Sequence, residues 1–198
     1  MTTSSAGSTV PESGLTDRRF LFLLGSVRED GNSEQLARLA AEHLPAGVEQ
    51  TWLRLEELPL EPFTDIRHTG DGTYPPLTGH ALTLFEATAR ATDLVIVSPL
   101  YWYTLSTSVK LYFDHWSGWF RVPGSDFRAR MKGTTLWSVT SHSGERSDVD
   151  PLIGTLKLTA DYMGMPWGGA LLGNGTRPGD VHRDELALAE AESFFSGV

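Results

Sequence analysis

The segment Asp93-Leu94-Val95-Ile96-Val97-Ser98 is the clearest predicted strand of the chain, because four consecutive apolar residues lie between polar ends. A short, continuous apolar run is typical of a strand that is buried on both faces, as in a parallel sheet. Apolar residues at helical spacing lie on both sides of it, over 78–91 before the segment and over 105–118 after it. The segment therefore predicts a central strand with a helix on each side along the chain.

The same alternation extends outward to both ends of the chain. Further strands are predicted over 20–24, 50–55, 134–140 and 167–172, and further helices over 33–44, 150–163 and 184–195. Five strand–helix units favour an α/β fold in which a parallel sheet lies between two layers of helices. By analogy, we expect a flavodoxin-like three-layer sandwich with a five-stranded parallel sheet in the order 2-1-3-4-5.

The composition limits the classes of protein to which the chain can belong. Its 198 residues suit one domain, predicted over 18–198 after a flexible N-terminal tail over 1–17. There are 25 acidic and 16 basic side chains, and the net charge of −9 argues against binding to nucleic acid or to anionic membranes. No apolar stretch is long enough to span a membrane, and the N-terminus does not have the pattern of a secretion signal.

The chain contains no cysteine, which excludes disulfides, a thiolate nucleophile and cysteine-ligated metal centres. The histidines show no paired metal-ligand spacing, so no metal site is predicted. Neither Ser141 nor Ser143 lies in the Gly-x-Ser-x-Gly pattern of a serine hydrolase. The lack of cysteine fits a reducing compartment, and we expect a cytoplasmic location.

The loop after the first strand is the first candidate for a binding site, because ligands of such sheets bind beyond the carboxyl ends of the strands. Hydroxyls, an arginine and the free N–H groups of a helix start favour a phosphate. The candidate phosphate-binding residues are Ser26, Arg28, Gly31, Asn32 and Ser33. The alternative is an ordinary helix start in which Asn32 is the N-cap and pairs with Gln35.

The loop after the third strand is the second candidate. It contains Pro99, Leu100, Tyr101, Trp102 and Tyr103. Three adjacent aromatic residues cannot all face the core, and a flat aromatic ligand would stack on such a platform. The alternative is a surface patch or a dimer contact. On the helix that follows, Lys110 and Asp114 are four residues apart and predict an ordinary ion pair.

The loop after the fourth strand is the third candidate. It contains Ser141, His142, Ser143 and Gly144, whose N–H groups and imidazole could bond the carbonyl edge of a bound ring. The alternative is a solvated loop with a titrating surface histidine. Before the second helix, the long stretch over 56–79 is rich in proline and glycine, and we expect it to be functional or disordered.

These segments resemble a known family, the NADPH-dependent FMN reductase-like NAD(P)H-dependent oxidoreductases of the flavodoxin-like superfamily. Residues 25–28 and 31–33 are similar to its phosphate loop, and 99–102 with Lys110 and Asp114 resemble its isoalloxazine loop and the following helix. Residues 55–63 are similar to its segment after strand two. The resemblance covers about residues 19–196 and departs from the family at 106–108 and in the third loop, which commonly contains more glycine.

The resemblance implies a non-covalently bound FMN. It assigns the phosphate to Ser26, Arg28, Asn32 and Ser33, the flavin ring to 99–103, and the other ring edge to 141–144. It further implies an enzyme that passes hydride from NADPH or NADH through flavin N5 to a small acceptor such as a quinone or free flavin. No catalytic side chain is implied, and the expected assembly is a homodimer or homotetramer. The alternatives are a flavodoxin-type electron carrier without its own substrate site and a binding module that has lost FMN.

Overall fold

The computed structural model of the protein describes residues 17–196. The predicted flexible tail lies, apart from Asp17, outside the described residues. The strands are β1 (Arg19–Leu24), β2 (Glu49–Arg54), β3 (Asp93–Pro99), β4 (Thr135–His142) and β5 (Trp167–Asn174). The helices are α1 (Asn32–Glu42), α2 (Gly79–Arg90), α3 (Thr107–Trp119), α4 (Phe127–Met131), α5 (Asp150–Met163) and α6 (Glu185–Ala191).

The five strands form one parallel sheet in the order β2-β1-β3-β4-β5, as predicted. The register places Leu94 of β3 between Leu21 of β1 and Leu136 of β4. Because all strands run in the same direction, their carboxyl ends meet at one edge of the sheet. The loops after β1, β3, β4 and β5 therefore lie together at that edge.

Two hydrophobic clusters cover the two faces of the sheet, because successive strand residues point to opposite sides. Phe22 and Val95 pack with α1 and α6 on one face. Leu23 and Ile96 pack with α2, α3, α4 and α5 on the other face. The result is the three-layer sandwich that the sequence predicts.

Two helices differ from the prediction. The five-residue helix α4 is absent from the predicted elements, because five residues are too few to show a helical period. The last predicted helix, over 184–195, ends at Ala191. Beyond it, Phe194 and Phe195 turn inward and pack edge-to-face on Trp137, with ring centroids 5.2 and 5.3 Å away. Two adjacent side chains that both pack on Trp137 do not fit the alternation of buried and exposed residues along a surface helix.

The amino-terminal edge of the sheet contains a buried carboxylate, Asp93. It accepts hydrogen bonds from Trp137 Nε1 at 2.9 Å and Thr92 Oγ1 at 2.8 Å, and it pairs with the Arg18 guanidinium. A buried charge with this many partners is a structural element rather than a free reactive group. No helix within residues 17–196 is long and apolar enough to cross a membrane.

Candidate functional site

The three loops singled out in the sequence line one cavity of about 200 Å³ at the carboxyl edge of the sheet. The first loop contributes Ser26, Arg28, Gly31, Asn32 and Ser33; the second contributes Pro99, Leu100 and Tyr101; the third contributes Ser141, His142 and Ser143. Of the predicted site residues, only Trp102, Tyr103 and Gly144 do not line it. The fold thus brings together residues as far apart in the sequence as Ser26 and Ser143.

A fourth loop, which the sequence analysis missed, completes the cavity with Gly175 and Thr176 after β5. Its position is that of every other site loop, directly after a parallel strand. A Cβ at Gly175 would lie 2.7 Å from Asn32 Nδ2, so the close approach of this loop to α1 requires glycine. The rule that ligands bind beyond strand ends could have identified this loop, but its residues carry no distinctive chemistry.

The start of α1 is uncapped by any side chain. Gly31 is the N-cap, with φ −65° and ψ 157°, and the first intrahelical bond runs from Gln35 N–H to Gly31 O. The alternative in which Asn32 caps the helix and pairs with Gln35 is therefore wrong, because the Gln35 side chain donates to Asp30 O instead. The N–H groups of the first turn are left for an anion.

The Asn32 side chain holds the fourth loop against α1. Its Nδ2 donates to Arg177 O at 2.9 Å, and its Oδ1 accepts from Gly179 N at 3.0 Å. Arg177 lies 145 residues after Asn32 in the sequence, so no local sequence pattern indicates this contact. A contact between Asn32 and a phosphate would use the backbone N–H of Asn32 together with its remaining amide hydrogen.

Ser33 and Ser141 join the first and third loops. Ser33 Oγ lies 2.7 Å from Ser141 Oγ and accepts a hydrogen bond from Ser141 N at 3.1 Å. Both residues are buried. The two hydroxyls carry two hydrogens and use one between them, so one hydroxyl hydrogen is available to a ligand.

Arg28 lies at the exposed rim of the same loop. Its backbone N–H donates to Ser26 Oγ at 3.1 Å, and within residues 17–196 its guanidinium makes no ion pair. The next turn includes Asp30, which has a left-handed backbone at φ 52°. An unpaired arginine beside an uncapped helix start provides positive charge on two sides of the cavity.

The second loop contains a tight turn that directs two aromatic residues away from the cavity. Tyr101 and Thr104 exchange backbone hydrogen bonds of 3.0 and 3.1 Å, and the two residues between them have φ values of 49° and 64°. Two successive left-handed residues are typical of a type I′ turn. Trp102 is 90% exposed and Tyr103 is 56% exposed, so this pair fits the surface-patch alternative, whereas Tyr101 lines the cavity.

His142 has one ring nitrogen occupied within its own loop. Its Nδ1 lies 3.0 Å from Gly144 O, and because a carbonyl only accepts, Nδ1 carries the hydrogen. In the neutral ring, Nε2 is then an acceptor, so His142 would receive a hydrogen bond from a ring N–H rather than donate one. Gly144 packs against Asp148, where a Cβ would lie 2.3 Å from Oδ2, and it does not reach the cavity.

The stretch over 56–79 lines two neighbouring cavities. One, of about 300 Å³, lies between this stretch and the first loop and also contacts Tyr101; the other, of about 570 Å³, lies between it, α2 and α3. Tyr74 orders the stretch, since its hydroxyl donates to Thr64 O at 3.1 Å and accepts from Ile66 N at 3.0 Å. The predicted ion pair between Lys110 and Asp114 forms on the surface of α3.

Comparison with known proteins gives consistent results. The sequence model of the family described as NADPH-dependent FMN reductase matches residues 18–169. A Bacillus subtilis protein, YwqN, provisionally named an NAD(P)H-dependent FMN-containing oxidoreductase, is 31% identical over 170 residues, which are 84% of this chain and 91% of YwqN.

Solved structures share the fold. The Trp repressor binding protein from Bacillus subtilis superposes with a TM-score of 0.72 at 24% identity, over 91% of this chain and 99% of that one. An FMN-dependent NADH-azoreductase from Bacillus anthracis, solved in complex with FMN, has a TM-score of 0.62 at 14% identity over 89% and 96%. An NAD(P)H:quinone oxidoreductase from Methanothermobacter marburgensis has a TM-score of 0.58 at 18% identity over 89% and 92%.

Proposed function

The chain belongs to the NADPH-dependent FMN reductase family, and on this premise we propose that it is an FMN-dependent NAD(P)H oxidoreductase that reduces a small acceptor such as a quinone or free flavin. The observation that carries the proposal is the cavity in which the three candidate loops meet. When bound, FMN would take hydride from NADPH or NADH at N5 and pass two electrons to the acceptor. The side chains of the protein bind and orient the cofactor, and none is required as a nucleophile.

The first loop fits the phosphate of FMN. The uncapped N–H groups at the start of α1, the Ser26 and Ser33 hydroxyls and the unpaired Arg28 guanidinium are all hydrogen-bond donors. A phosphate that carries close to two negative charges would satisfy the open donors and gain from the positive end of the helix dipole. We assign this end of the cavity to the phosphate.

The second and third loops fit the flavin ring. Pro99, Leu100 and Tyr101 give the cavity an apolar wall, and Ser141, His142 and Ser143 give it a polar wall. The two walls are joined by the hydrogen bond from Leu100 N to Ser141 O, at 2.9 Å. The cavity volume of about 200 Å³ is below the roughly 300–1,000 Å³ of typical ligand pockets. Part of the cofactor would therefore extend out of the cavity, beyond the carboxyl edge of the sheet.

We extend the proposal to a homodimer or homotetramer. A groove of about 410 Å³ between α3 and α5 is lined by Phe113, Trp116 and Phe120. Leu158 and Tyr162 on its rim are 72% and 63% exposed. Exposed apolar residues around a groove are typical of a protein interface. The molar mass in solution, measured by light scattering, tests this assembly, and a mass of one chain would contradict it.

The experiment that tests the proposal is an absorption spectrum of the purified protein after addition of FMN, before and after NADPH is added without oxygen. We expect flavin bands that move with the protein on gel filtration and that bleach on reduction. Steady NAD(P)H consumption when a quinone is supplied supports the enzyme. A stable semiquinone without turnover would support the electron-carrier alternative instead, and no retained flavin would support a binding module. The cytoplasmic location stays a prediction.

A further inference from the structure

We infer that Arg54, which does not line the cavity, is a positioning residue that makes the site selective for a phosphorylated flavin. The inference rests on the proposed function, because it concerns the loop assigned to the phosphate. Arg54 is the last residue of β2, and its side chain is 12% exposed. It contacts the backbone of the phosphate loop and is not among the residues that line the cavity.

The Arg54 guanidinium connects three parts of the fold. Its Nη1 donates to Ser26 O and to Arg28 O, both at 3.2 Å. Its Nη2 donates to Glu34 Oε2, at 2.6 Å, in the first turn of α1. One planar group therefore links the end of β2, two peptide carbonyls of the phosphate loop and the helix that the loop precedes.

The carbonyl contacts determine which way the loop's N–H groups point. In a planar trans peptide the carbonyl and the following N–H point in opposite directions, and residues 17–196 contain no cis peptide. When Arg54 holds the carbonyls of Ser26 and Arg28, the N–H groups of Val27 and Glu29 must point away from it. Arg54 thus keeps two carbonyl oxygens, which would repel a phosphate, turned away from the anion side of the loop.

Arg54 also neutralises a carboxylate that would otherwise oppose phosphate binding. Glu34 is 2% exposed and lies two residues after Asn32 at the start of α1. Burial by itself would raise the pKa of Glu34, but hydrogen bonds from Arg54 and Arg38 outweigh it and hold the pKa below its ordinary value. The carboxylate is therefore charged at neutral pH, and its charge is balanced by two arginines.

Arg38 provides a matched control for this inference. It pairs with the same carboxylate, at 2.7 Å from Glu34 Oε1, and it makes no hydrogen bond to the phosphate loop. Its side chain is 49% exposed, and its guanidinium stacks on the Trp52 ring, 4.4 Å from the centroid. Arg38→Met removes one cation from Glu34 but leaves the loop carbonyls held, whereas Arg54→Met removes both contacts.

The test is a comparison of FMN and riboflavin, which differ by the phosphate, in fluorescence titrations of the wild type, Arg54→Met, Arg54→Lys and Arg38→Met. We expect Arg54→Met to raise the Kd for FMN at least about tenfold, equivalent to one charge-assisted contact, and to leave the Kd for riboflavin within about twofold. Arg54→Lys keeps the charge but lacks the planar fork of donors, so its Kd for FMN should rise almost as much as that of Arg54→Met. Arg38→Met should leave both constants within about twofold.

Three results would overturn the inference. An equal loss for FMN and riboflavin in Arg54→Met would reduce Arg54 to a general structural role. Full recovery in Arg54→Lys would show that charge alone matters, and an Arg38→Met effect as large as that of Arg54→Met would assign the role to Glu34. If Arg54→Met does not fold, the decisive quantity is the ratio of the FMN Kd to the riboflavin Kd in Arg54→Lys: a ratio above that of the wild type supports the inference, and an unchanged ratio overturns it. A wild type that binds neither flavin would instead contradict the proposed function itself.

Discussion

Replacement of Ser33 by alanine tests the bridge between the first and third loops. Ser33 Oγ lies 2.7 Å from Ser141 Oγ, and the alanine variant loses this hydrogen bond between two buried hydroxyls. A hydrogen bond of this kind contributes about 0.5–1.5 kcal/mol to stability. Since a protein of this size loses about 2–4 °C of Tm for each kcal/mol, we expect the Tm to fall by roughly 1–6 °C.

The same substitution should weaken FMN binding, because it removes a hydroxyl donor from the proposed phosphate site. A hydrogen bond to a charged group contributes about 1.5–3 kcal/mol, so the Kd for FMN should rise roughly 10- to 140-fold. Riboflavin has no phosphate, and its Kd should change little. The two constants come from titrations of flavin fluorescence, and the Tm from thermal unfolding of the protein without flavin.

Ser138→Ala is the matched control. Like Ser33, Ser138 is a buried serine whose hydroxyl contacts another hydroxyl, with its Oγ 3.2 Å from Thr140 Oγ1, but it lies within β4 and does not line the cavity. We expect this variant to lose stability and to keep the wild-type Kd for FMN. The reasoning is refuted if Ser33→Ala binds FMN as the wild type does, or if it loses riboflavin to the same extent.

Three further predictions concern other parts of the chain. Trp102→Ala should change turnover with a quinone acceptor while the Kd for FMN stays within about twofold, because Trp102 is exposed and lies outside the cavity. A variant that loses flavin, but whose remaining holoenzyme turns over normally, would contradict this prediction. Asp93→Ala should lower the free energy of unfolding in urea by about 3–5 kcal/mol, since it leaves Arg18 and Trp137 Nε1 without their partner; FMN affinity should not change. The pKa of Glu34 is lowered in the folded state, so its ion pairs stabilise the fold above the unfolded pKa and are lost as the pH falls through the folded one. Glu34→Gln should therefore be less stable than the wild type at neutral pH, and the two unfolding free energies, measured in urea, should converge as the pH falls through the lowered pKa of Glu34.

The fold was predictable because its signals are local. The apolar runs at β1 and β3 are strands buried on both faces, and α5 spans Asp150–Met163, the predicted range, because Gly164 takes a left-handed φ of 71° that ends the helix. The strand order came from analogy rather than from the residues. Helix α4 was missed, because its five residues carry no period.

The sequence predicts the site residues that directly follow a strand. It does not predict those whose role depends on hydrogen-bond partners far away in the sequence. The residues of the first three loops meet because parallel strands end at one edge. The roles of Asn32 and Arg54 depend on carbonyl groups contributed by other parts of the fold, which no spacing in the sequence reveals. At Trp102 the aromatic cluster is visible in the sequence, but the I′ turn that exposes this side chain is not, and its contact with the flavin ring stays a prediction.

A crystal structure of the protein grown in excess FMN tests the assignment of the phosphate to the start of α1 most directly. We expect the phosphate to lie within about 3 Å of the N–H groups at the start of α1 and of the Ser33 hydroxyl, a normal hydrogen-bond distance. Bound FMN whose phosphate lies elsewhere, or a loop over 26–33 that closes on its own helix with no phosphate, would contradict it.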